Sequence, residues 1–599
     1  MNEEKLKYFV KMNQEIKAKL RHLEIRSRNI SLLRGLIFIA SVVCFAFGLA
    51  DRIYVLLVPG VVLFCGFVWL VKLHAECFEE TEYYENKDKV TERYISRFRD
   101  KWREFEDSGE DFLTDEDTVA QDTDLIGKGS LYQLISVCHT VRGRKLLADR
   151  LKNPYISDFE LKKRSEAISE LAHMRDFAIE YESAGAGLAR KKIKVNENEF
   201  VKRLNDEKGA KLPGWAQVVR FLFPACFITL TVMSICGWIS YVVPLAAFFV
   251  ILSFSWLTSG ISEEILAPVR SISGGAASYL AMLSQLEKHE FDSELMKAYR
   301  ERVAGKGGIA EGFKKLSAIS QAYNVSFNPV VHQFLSGAFL WDYQLAAVAS
   351  GWRESYGEIC GGIFDLIAEV EELISFAVIS MVRNTGTAKV CDEGETEFCC
   401  EDMVHPLLAP EKAVANSASL KDGITIITGS NMSGKTTFLR TVAVNLVLAY
   451  LGAPVTAKKV TASRMRIYTS MRIRDDVLHG ISTFYAEILR IKQMAEAKKE
   501  GSPMLCLIDE IFKGTNSADR IVGAESVIRK LAGNGCMTVV STHDFELCSL
   551  TAADGTPAVN KHFEEYYEGD ELKFDYRIRD GRCTTTNARA ILRMAGLAD

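Results

Sequence analysis

The sequence lacks several features that would point to familiar classes of protein. Its 14 cysteines include no matched C-x-x-C motifs, which argues against a structural zinc site. Many of them lie in apolar runs, as is typical of reduced, buried thiols. The formal net charge is -5, so there is no overall basic excess that would favour nucleic acid, and a DNA-binding surface would have to be local. No repeat at a fixed period is apparent.

Charge is also absent from four long apolar runs, at residues 36–50, 53–71, 221–236 and 241–258. A helix that crosses a bilayer needs about 17–25 mostly apolar residues. The runs form two close pairs, and four such segments are hard to cover in a soluble fold. We therefore predict two transmembrane helical hairpins, over 35–73 and 218–258, rather than two pairs of buried core helices.

The basic residues around these runs predict the topology. They are concentrated before the first run, after the second, before the third and after the fourth: Arg26, Arg28, Arg34, Lys72, Lys211, Arg220 and Arg270. The turns on the other side contain a single basic residue, Arg52. By the positive-inside rule, we expect a multi-pass protein of the cell membrane whose soluble domains and both termini are cytoplasmic.

The rest of the chain divides by composition and periodicity. We predict a basic N-terminal helix at 1–34, an amphipathic helix followed by an acidic linker at 75–123, a helical core in two parts at 124–217 and 259–395, and an α/β domain at 400–599. In the last segment, short β-branched runs alternate with helical stretches, which is typical of a mostly parallel sheet.

A phosphate-binding motif opens the α/β domain. Residues 429–436 read GSNMSGKT, which matches G-x-x-x-x-G-K-[ST], with a predicted strand before it and an apolar helix after it. Backbone amides of such a loop and the helix N-terminus bind phosphate oxygens. We expect Lys435 to reach the β- and γ-phosphates of ATP and the Thr436 hydroxyl to bind Mg²⁺. The predicted ATP-binding residues are Gly429, Ser430, Asn431, Met432, Ser433, Gly434, Lys435, Thr436 and Thr437.

Two further strands are predicted to end in polar residues. Residues 504–508 are apolar and lead into Asp509, a predicted Mg²⁺ ligand, and Glu510, a predicted general base that polarises the attacking water. The run at 538–541 leads to His543, which is placed to sense or hydrogen-bond the γ-phosphate. A lone histidine is usually structural, but the carboxyl end of a parallel strand favours a functional role.

These motifs together resemble the ABC-type ATPase superfamily and, within it, the MutS family of DNA mismatch-repair proteins. Asn431 and Met432 in the loop, Asp475-Asp476 followed by Ser482-Thr483-Phe484, and Gly514-Thr515-Asn516 carry the resemblance, and the LSGGQ motif of ABC transporters is absent. Further similarity lies in His405-Pro406-Leu407, in Phe574-x-Tyr576 and in the stretch 124–154, which resembles the start of the MutS helical core.

The resemblance implies an ATP hydrolase that works as a homodimer, with Ser482 of the second subunit capping the γ-phosphate and a lever-like helical core linked to a DNA clamp. The resemblance does not extend to the first 123 residues, where a mismatch-reading domain would lie, and the second hairpin interrupts the helical core where the family places its clamp. Mismatch recognition is therefore not implied. The one compact basic cluster of the core, at 190–194, fits a solvated face, a lipid-headgroup contact or a nucleic-acid site.

Three functions are compatible with these features. The first is a membrane-anchored ATPase that binds DNA, and the second is a membrane scaffold or switch that acts on a protein partner without DNA. The third, a transporter with the four spans as its pathway, is disfavoured because the spans carry no acidic or basic residue in their middles.

Overall fold

The computed structural model describes residues 2–50, 53–190, 195–206, 211–305, 307–391, 396–430, 432–472, 483–512, 517–568 and 571–583. The α-helices are α1 (Asn2–Ala50), α2 (Leu57–Phe98), α3 (Thr118–Asp122), α4 (Leu131–Ile135), α5 (Val141–Lys152), α6 (Asp158–His173), α7 (Arg175–Arg190), α8 (Glu197–Asn205), α9 (Gly214–Ile235), α10 (Val242–Leu257), α11 (Ser259–Ile272), α12 (Ala276–Lys288), α13 (Glu294–Ala304), α14 (Ile309–Asn324), α15 (Pro329–Phe339), α16 (Trp341–Gly361), α17 (Ile363–Val382), α18 (Lys435–Tyr450), α19 (Thr483–Lys498) and α20 (Ser517–Leu531). The strands are β1 (Thr387–Cys391), β2 (Glu397–Met403), β3 (Asn416–Lys421), β4 (Gly423–Thr428), β5 (Lys459–Ser463), β6 (Arg466–Ser470), β7 (Met504–Asp509), β8 (Cys536–Thr542), β9 (Val559–Glu568) and β10 (Glu571–Asp580). Short 3-10 turns lie at Tyr54–Leu56, Lys101–Glu104, Glu110–Phe112, Val325–Phe327 and Phe545–Ser549.

The first two helices form one long antiparallel pair. α1 has 49 residues and α2 has 42, so each continues well beyond its apolar run. The basic N-terminal segment, the first two apolar runs and the amphipathic segment therefore lie in two helices rather than in four separate elements. Inside the pair, the Asn13 amide donates to Asp88 over 2.8 Å, and Ser27 lies 3.1 Å from His74.

A seven-residue spacing, which the sequence reading missed, holds this pair together. Phe9, Ile16, Leu23 and Ile30 are all buried on α1, and Leu70 and Cys77 are buried on α2. A seven-residue repeat of buried side chains keeps one face of a helix against its partner, as in a coiled coil. The pair therefore extends the first apolar hairpin as a coiled-coil stalk.

The second apolar pair consists of α9 and α10. By length and composition, α1, α2 and α9 are each able to cross a membrane, and α10 joins them if it is counted together with α11, to which it connects through a bend of 64°. α15, a short helix that the sequence reading did not single out, packs on α10, with the rings of Phe248 and Phe334 6.3 Å apart.

Two predicted segments differ from the structure. The second part of the helical core, predicted to run to 395, ends with α17 at Val382, because the next residues form β1, which pairs in parallel with β5 of the α/β domain. The predicted acidic linker ending at 123 is an ordered element that includes α3. Its Asp122 is fully buried and bonded to the α/β domain, so this segment is a contact between the two regions.

The predicted α/β domain contains two sheets. The larger has the order β10-β9-β4-β8-β7-β6, in which the neighbouring strands from β9 to β6 are parallel and β10 is antiparallel to β9. The smaller has the order β1-β5-β2-β3. Buried α18 packs against strands of both sheets. Because β4, β8 and β7 are adjacent and parallel, the residues that follow them meet at one edge.

Candidate ATP site

The glycine-rich loop connects β4 to α18. All six residues of β4 are buried, and its isoleucines and threonines suit a central parallel strand. Gly429 has φ +150° and Gly434 has φ +109°, in the region that favours glycine. A Cβ on Gly429 would lie 2.9 Å from the carbonyl oxygen of Phe563. The loop geometry therefore requires glycine at its start.

The loop and the start of α18 offer several groups to phosphate. Gly434 caps α18 without any side-chain hydrogen bond to the first amides, which leaves those amides for an anion. The Lys435 ammonium donates to the carbonyl oxygens of Gly429 and Ser430 over 2.7 and 2.8 Å. Ser433 Oγ is buried and has no hydrogen-bond partner among the described residues. An unsatisfied buried hydroxyl is costly, and a phosphate oxygen bound in the loop would satisfy it.

The predicted magnesium ligands lie in contact across two elements. Thr436 Oγ1, at the start of α18, donates to Asp509 Oδ2 at the end of β7 over 2.7 Å. The Ser541 hydroxyl on β8 donates to the other carboxylate oxygen of Asp509. The described part of the chain has no group of three or more His, Cys, Asp or Glu side chains that could hold a metal. A hydroxyl and one carboxylate fit Mg²⁺, which usually keeps waters and binds substrate phosphates.

Glu510 and His543 form the second predicted pair. The Glu510 carboxylate lies 2.9 Å from Nε2 of His543. Glu510 has φ +54°, an uncommon backbone conformation for a residue other than glycine. Its amide donates to the carbonyl oxygen of Ser541 over 2.9 Å, which holds this turn against β8. Such strained positions often occur at functional sites, and this one turns the Glu510 side chain into the cavity beside the loop.

A cavity of about 630 Å³ lies next to the loop and has an apolar side. Its walls include Leu408, Val414, Phe563 and Tyr576. Asn416 fixes the last of these, because its amide donates to the Tyr576 carbonyl oxygen over 2.9 Å and its Oδ1 accepts from the Ile578 amide over 2.7 Å. An apolar pocket beside a phosphate site can hold a nucleotide base.

His405 also lines this cavity. It is buried, and its Nδ1 accepts a hydrogen bond from the Leu407 amide over 3.3 Å. Burial lowers the pKa of His405 from 6.5 to about 4; the nearby Asp124 raises it and Arg440 lowers it by smaller amounts. The imidazole is therefore neutral at physiological pH.

The structure brings most of the predicted site residues together and leaves two outside the described ranges. The loop residues Gly429, Ser430, Met432, Ser433, Gly434, Lys435, Thr436 and Thr437 lie beside Asp509, Glu510 and His543. Asn431 and Ser482 lie outside the described residues, as do 191–194 of the basic cluster and residues 514–516, which carry part of the resemblance. The sequence reading missed Asn416 and Phe563, which come from other parts of the chain and carry no local motif.

The parallel sheet, the glycine loop and the acidic residues at the end of β7 define an ATPase-type α/β domain at the C-terminus. A largely helical region precedes it in the chain. Residues 425–599 match the family model of MutS domain V.

Three relatives show the same similarity. The chain is 30% identical over 260 residues to a DNA mismatch repair protein MutS 2 of Haloarcula marismortui, covering 39% of this chain and 27% of the relative. It is 34% identical over 226 residues to a DNA mismatch repair protein MutS of Brevibacillus brevis, covering 36% and 26%. For a MutS 2 of Halobacterium salinarum, identity is 31% over 240 residues, covering 39% and 27%. The chain thus spans about a quarter of the length of these relatives.

Proposed function

We propose that this protein is a membrane-anchored MutS-like ATPase of the ABC type, an ATP-dependent dimer switch that binds DNA. The observation that carries the ATPase assignment is that two pairs of side chains are in hydrogen-bond contact at the ends of adjacent strands. These pairs are Thr436 with Asp509 and Glu510 with His543. The first pair suits Mg²⁺ and the second suits the positioning of a water molecule. A fold match alone would not show this chemistry.

In the proposed reaction, Lys435 and the loop amides hold the β- and γ-phosphates in place. Thr436 and Asp509 would hold Mg²⁺, which would neutralise charge on the phosphate oxygens. Glu510 accepts a proton from the attacking water, and His543 orients that carboxylate or contacts the γ-phosphate. A pre-positioned base of this kind contributes about 10²–10⁴-fold to the rate.

The dimer part of the proposal rests on the resemblance to MutS. Ser482 of a second subunit would complete each ATP site, so that ATP holds two subunits together and hydrolysis releases them. The segment that contains Ser482 is flanked by Arg472 and Arg490. Arg472 bonds to Asp124, the first residue of the predicted helical core, and Arg490 bonds to Asp122 of the predicted linker. Movement at the shared site would therefore be transmitted to the helical region.

The membrane part rests on the exposure of the apolar helices. Phe221 and Ile235 on α9, and Val250 and Leu257 on α10, are more than half exposed, which is costly in water. Tryptophan and tyrosine lie at both ends of this pair, with Trp215 and Trp256 at one end and Trp238 and Tyr241 at the other. Aromatic residues are enriched at the two interfaces of a bilayer.

The DNA part follows from similarity to proteins named for DNA mismatch repair. The alternative is a scaffold or switch that acts on a protein partner without DNA. The observation that favours it is the α9–α10 pair, which places two apolar helices between the two parts of the helical region. The two functions differ in what stimulates hydrolysis.

The test is ATP hydrolysis by the detergent-solubilised full chain, with Mg²⁺ or with EDTA, and with no DNA, duplex, mismatched or branched DNA. Magnesium-dependent hydrolysis that a DNA ligand stimulates, with salt-sensitive binding, supports the DNA function. Hydrolysis indifferent to every DNA, together with a nuclease-resistant protein partner recovered from membranes, supports the alternative. No uptake of nucleotide with Mg²⁺ present overturns both. Release of the protein from membranes by alkaline carbonate contradicts the anchoring.

A further inference from the structure

A polar cavity lies where α10 bends into α11. It has a volume of about 220 Å³, and α11, α15 and the start of α16 close it. α10 and α11 meet there at a bend of 64°. Glu263, Arg270, Tyr323, His332, Ser336 and Asp342 line it.

The charged groups of this cavity are only partly paired. Nε2 of His332 lies 3.0 Å from both carboxylate oxygens of Asp342. Glu263 and Arg270 have no ion pair within 4.0 Å among the described residues. Both residues are exposed, so the cavity offers one cation and one anion, each accessible from outside and without an ion pair of its own. That combination suits a ligand that carries both charges.

Buried hydroxyls point to the same conclusion. Ser336 is 3% exposed, and its Oγ has no hydrogen-bond partner among the described residues. Ser326 Oγ, on another wall, is buried and equally unpartnered. Native proteins leave few buried polar atoms unsatisfied, so a polar ligand in the cavity would account for both.

The position of the cavity identifies the kind of ligand. Leu252 and Trp256 of α10 form its apolar side. Trp256 is 77% exposed at the end of the apolar run, where aromatic residues mark the boundary between lipid tails and headgroups. α15, which also lines the cavity, has Val330 and Phe334 exposed, so it presents apolar side chains beside α10, as interfacial helices do toward lipid.

We propose that this cavity binds the headgroup of a zwitterionic phospholipid, with the phosphate at Arg270 and a primary ammonium at Glu263. Arginine suits phosphate oxygens, and an ammonium donates to a carboxylate and to serine hydroxyls. The acyl chains would lie along α10 and α15. The inference rests on the proposed insertion in a membrane, and a free phosphoethanolamine compound would share the same headgroup chemistry.

The experiment measures lipid binding to the delipidated full chain in detergent by native mass spectrometry. Phosphatidylethanolamine is compared with phosphatidylglycerol of the same acyl chains, and soluble glycerophosphoethanolamine is added as a competitor. The variants are Glu263→Gln and Arg270→Gln, and Glu264→Gln is the matched control, an exposed neighbour on α11 outside the cavity. Circular dichroism checks that each variant is folded.

The wild type and Glu264→Gln should bind phosphatidylethanolamine about tenfold more tightly than phosphatidylglycerol, and each cavity variant should lose about tenfold, the cost of one charged hydrogen bond. Competition by the soluble compound at low concentration would identify the free zwitterion as the ligand. Equal binding of the two lipids, or unchanged binding in both variants, overturns the proposal. If the protein resists carbonate extraction and hydrolyses ATP but shows no lipid preference, only this inference fails. If carbonate releases the protein from membranes, the proposed membrane anchoring fails, and the lipid site fails with it.

Discussion

The buried Asp122 and the partly buried Arg490 form an ion pair between the predicted linker and the ATPase-type domain, with Arg490 Nη1 3.0 Å from Asp122 Oδ2. The same carboxylate accepts from the Thr469 hydroxyl over 2.8 Å and from the amides of Met471 and Arg472 over 3.0 and 3.1 Å. Asp122 has no exposed surface. Every donor that it meets belongs to the α/β domain, so its charge is satisfied only while the two regions are docked.

Asp122→Asn should destabilise the docked protein by about 3 kcal/mol, because it leaves Arg490 without its partner and turns an amide donor toward other donors. Thermal unfolding of the detergent-solubilised protein should show a Tm lower by several degrees. Asp115→Asn is the control, since Asp115 is exposed in the same segment. In the double variant with Arg490→Gln the two losses should not add, and simple additivity would contradict the ion pair.

The nucleotide site could be read from the sequence because each part is local. A buried strand, a glycine loop and a helix follow one another at 423–450, and the paired acids lie at the end of β7. The pattern of apolar residues predicts the strand and the helix, and the loop motif predicts phosphate binding, without reference to residues elsewhere in the chain. The parallel order of the strands then brings Asp509 and His543 to one edge.

The features that the sequence did not reveal depend on contacts across the chain. Asp122 lies in an acidic stretch that reads as solvated, and only its partners at 469–490 make it a buried contact. Asn416 and Tyr576 are 160 positions apart. α15 is short, and only its packing on α10 distinguishes it from other apolar helices of the helical region.

Lys435→Ala should weaken binding of a fluorescent ATP analogue by about 100-fold, the effect of losing charge-assisted hydrogen bonds to phosphate. Lys435 is buried at the start of α18, and no other lysine of the loop can replace it. Lys421→Ala, an exposed lysine on β3, is the control and should bind normally. Unchanged nucleotide affinity in Lys435→Ala would refute the assignment of the loop.

Glu510→Gln should keep nucleotide binding and lower turnover by about 10²–10⁴-fold, because the amide cannot accept a proton from water. With ATP and Mg²⁺ present, the variant should accumulate as a dimer, which light scattering of the detergent complex would detect. Glu546→Gln, an exposed acid beyond β8, should hydrolyse ATP at the normal rate. Hydrolysis at the wild-type rate in Glu510→Gln would remove this residue as the base.

Stability should fall as the pH is lowered from 6.5 toward 4, in part because of His405. Burial holds the pKa of this histidine at about 4 in the folded protein, against 6.5 as its ordinary value. Between these values the unfolded chain binds a proton that the folded protein does not, so unfolding becomes more favourable as the pH falls. The full effect is about 3 kcal/mol, present above pH 6.5 and lost by pH 4.

His405→Gln should remove this part of the dependence, because glutamine does not titrate and keeps a polar atom near the Leu407 amide. The Tm of wild type and variant, measured at pH 7.5, 6.0 and 5.0, should converge as the pH falls. His139 is buried as well, and burial lowers its pKa to about 3, so some pH dependence remains in the variant. His22→Gln, an exposed position on α1, should follow the wild type. A variant whose Tm stays parallel to the wild type across this range would show that His405 is not buried in its neutral form.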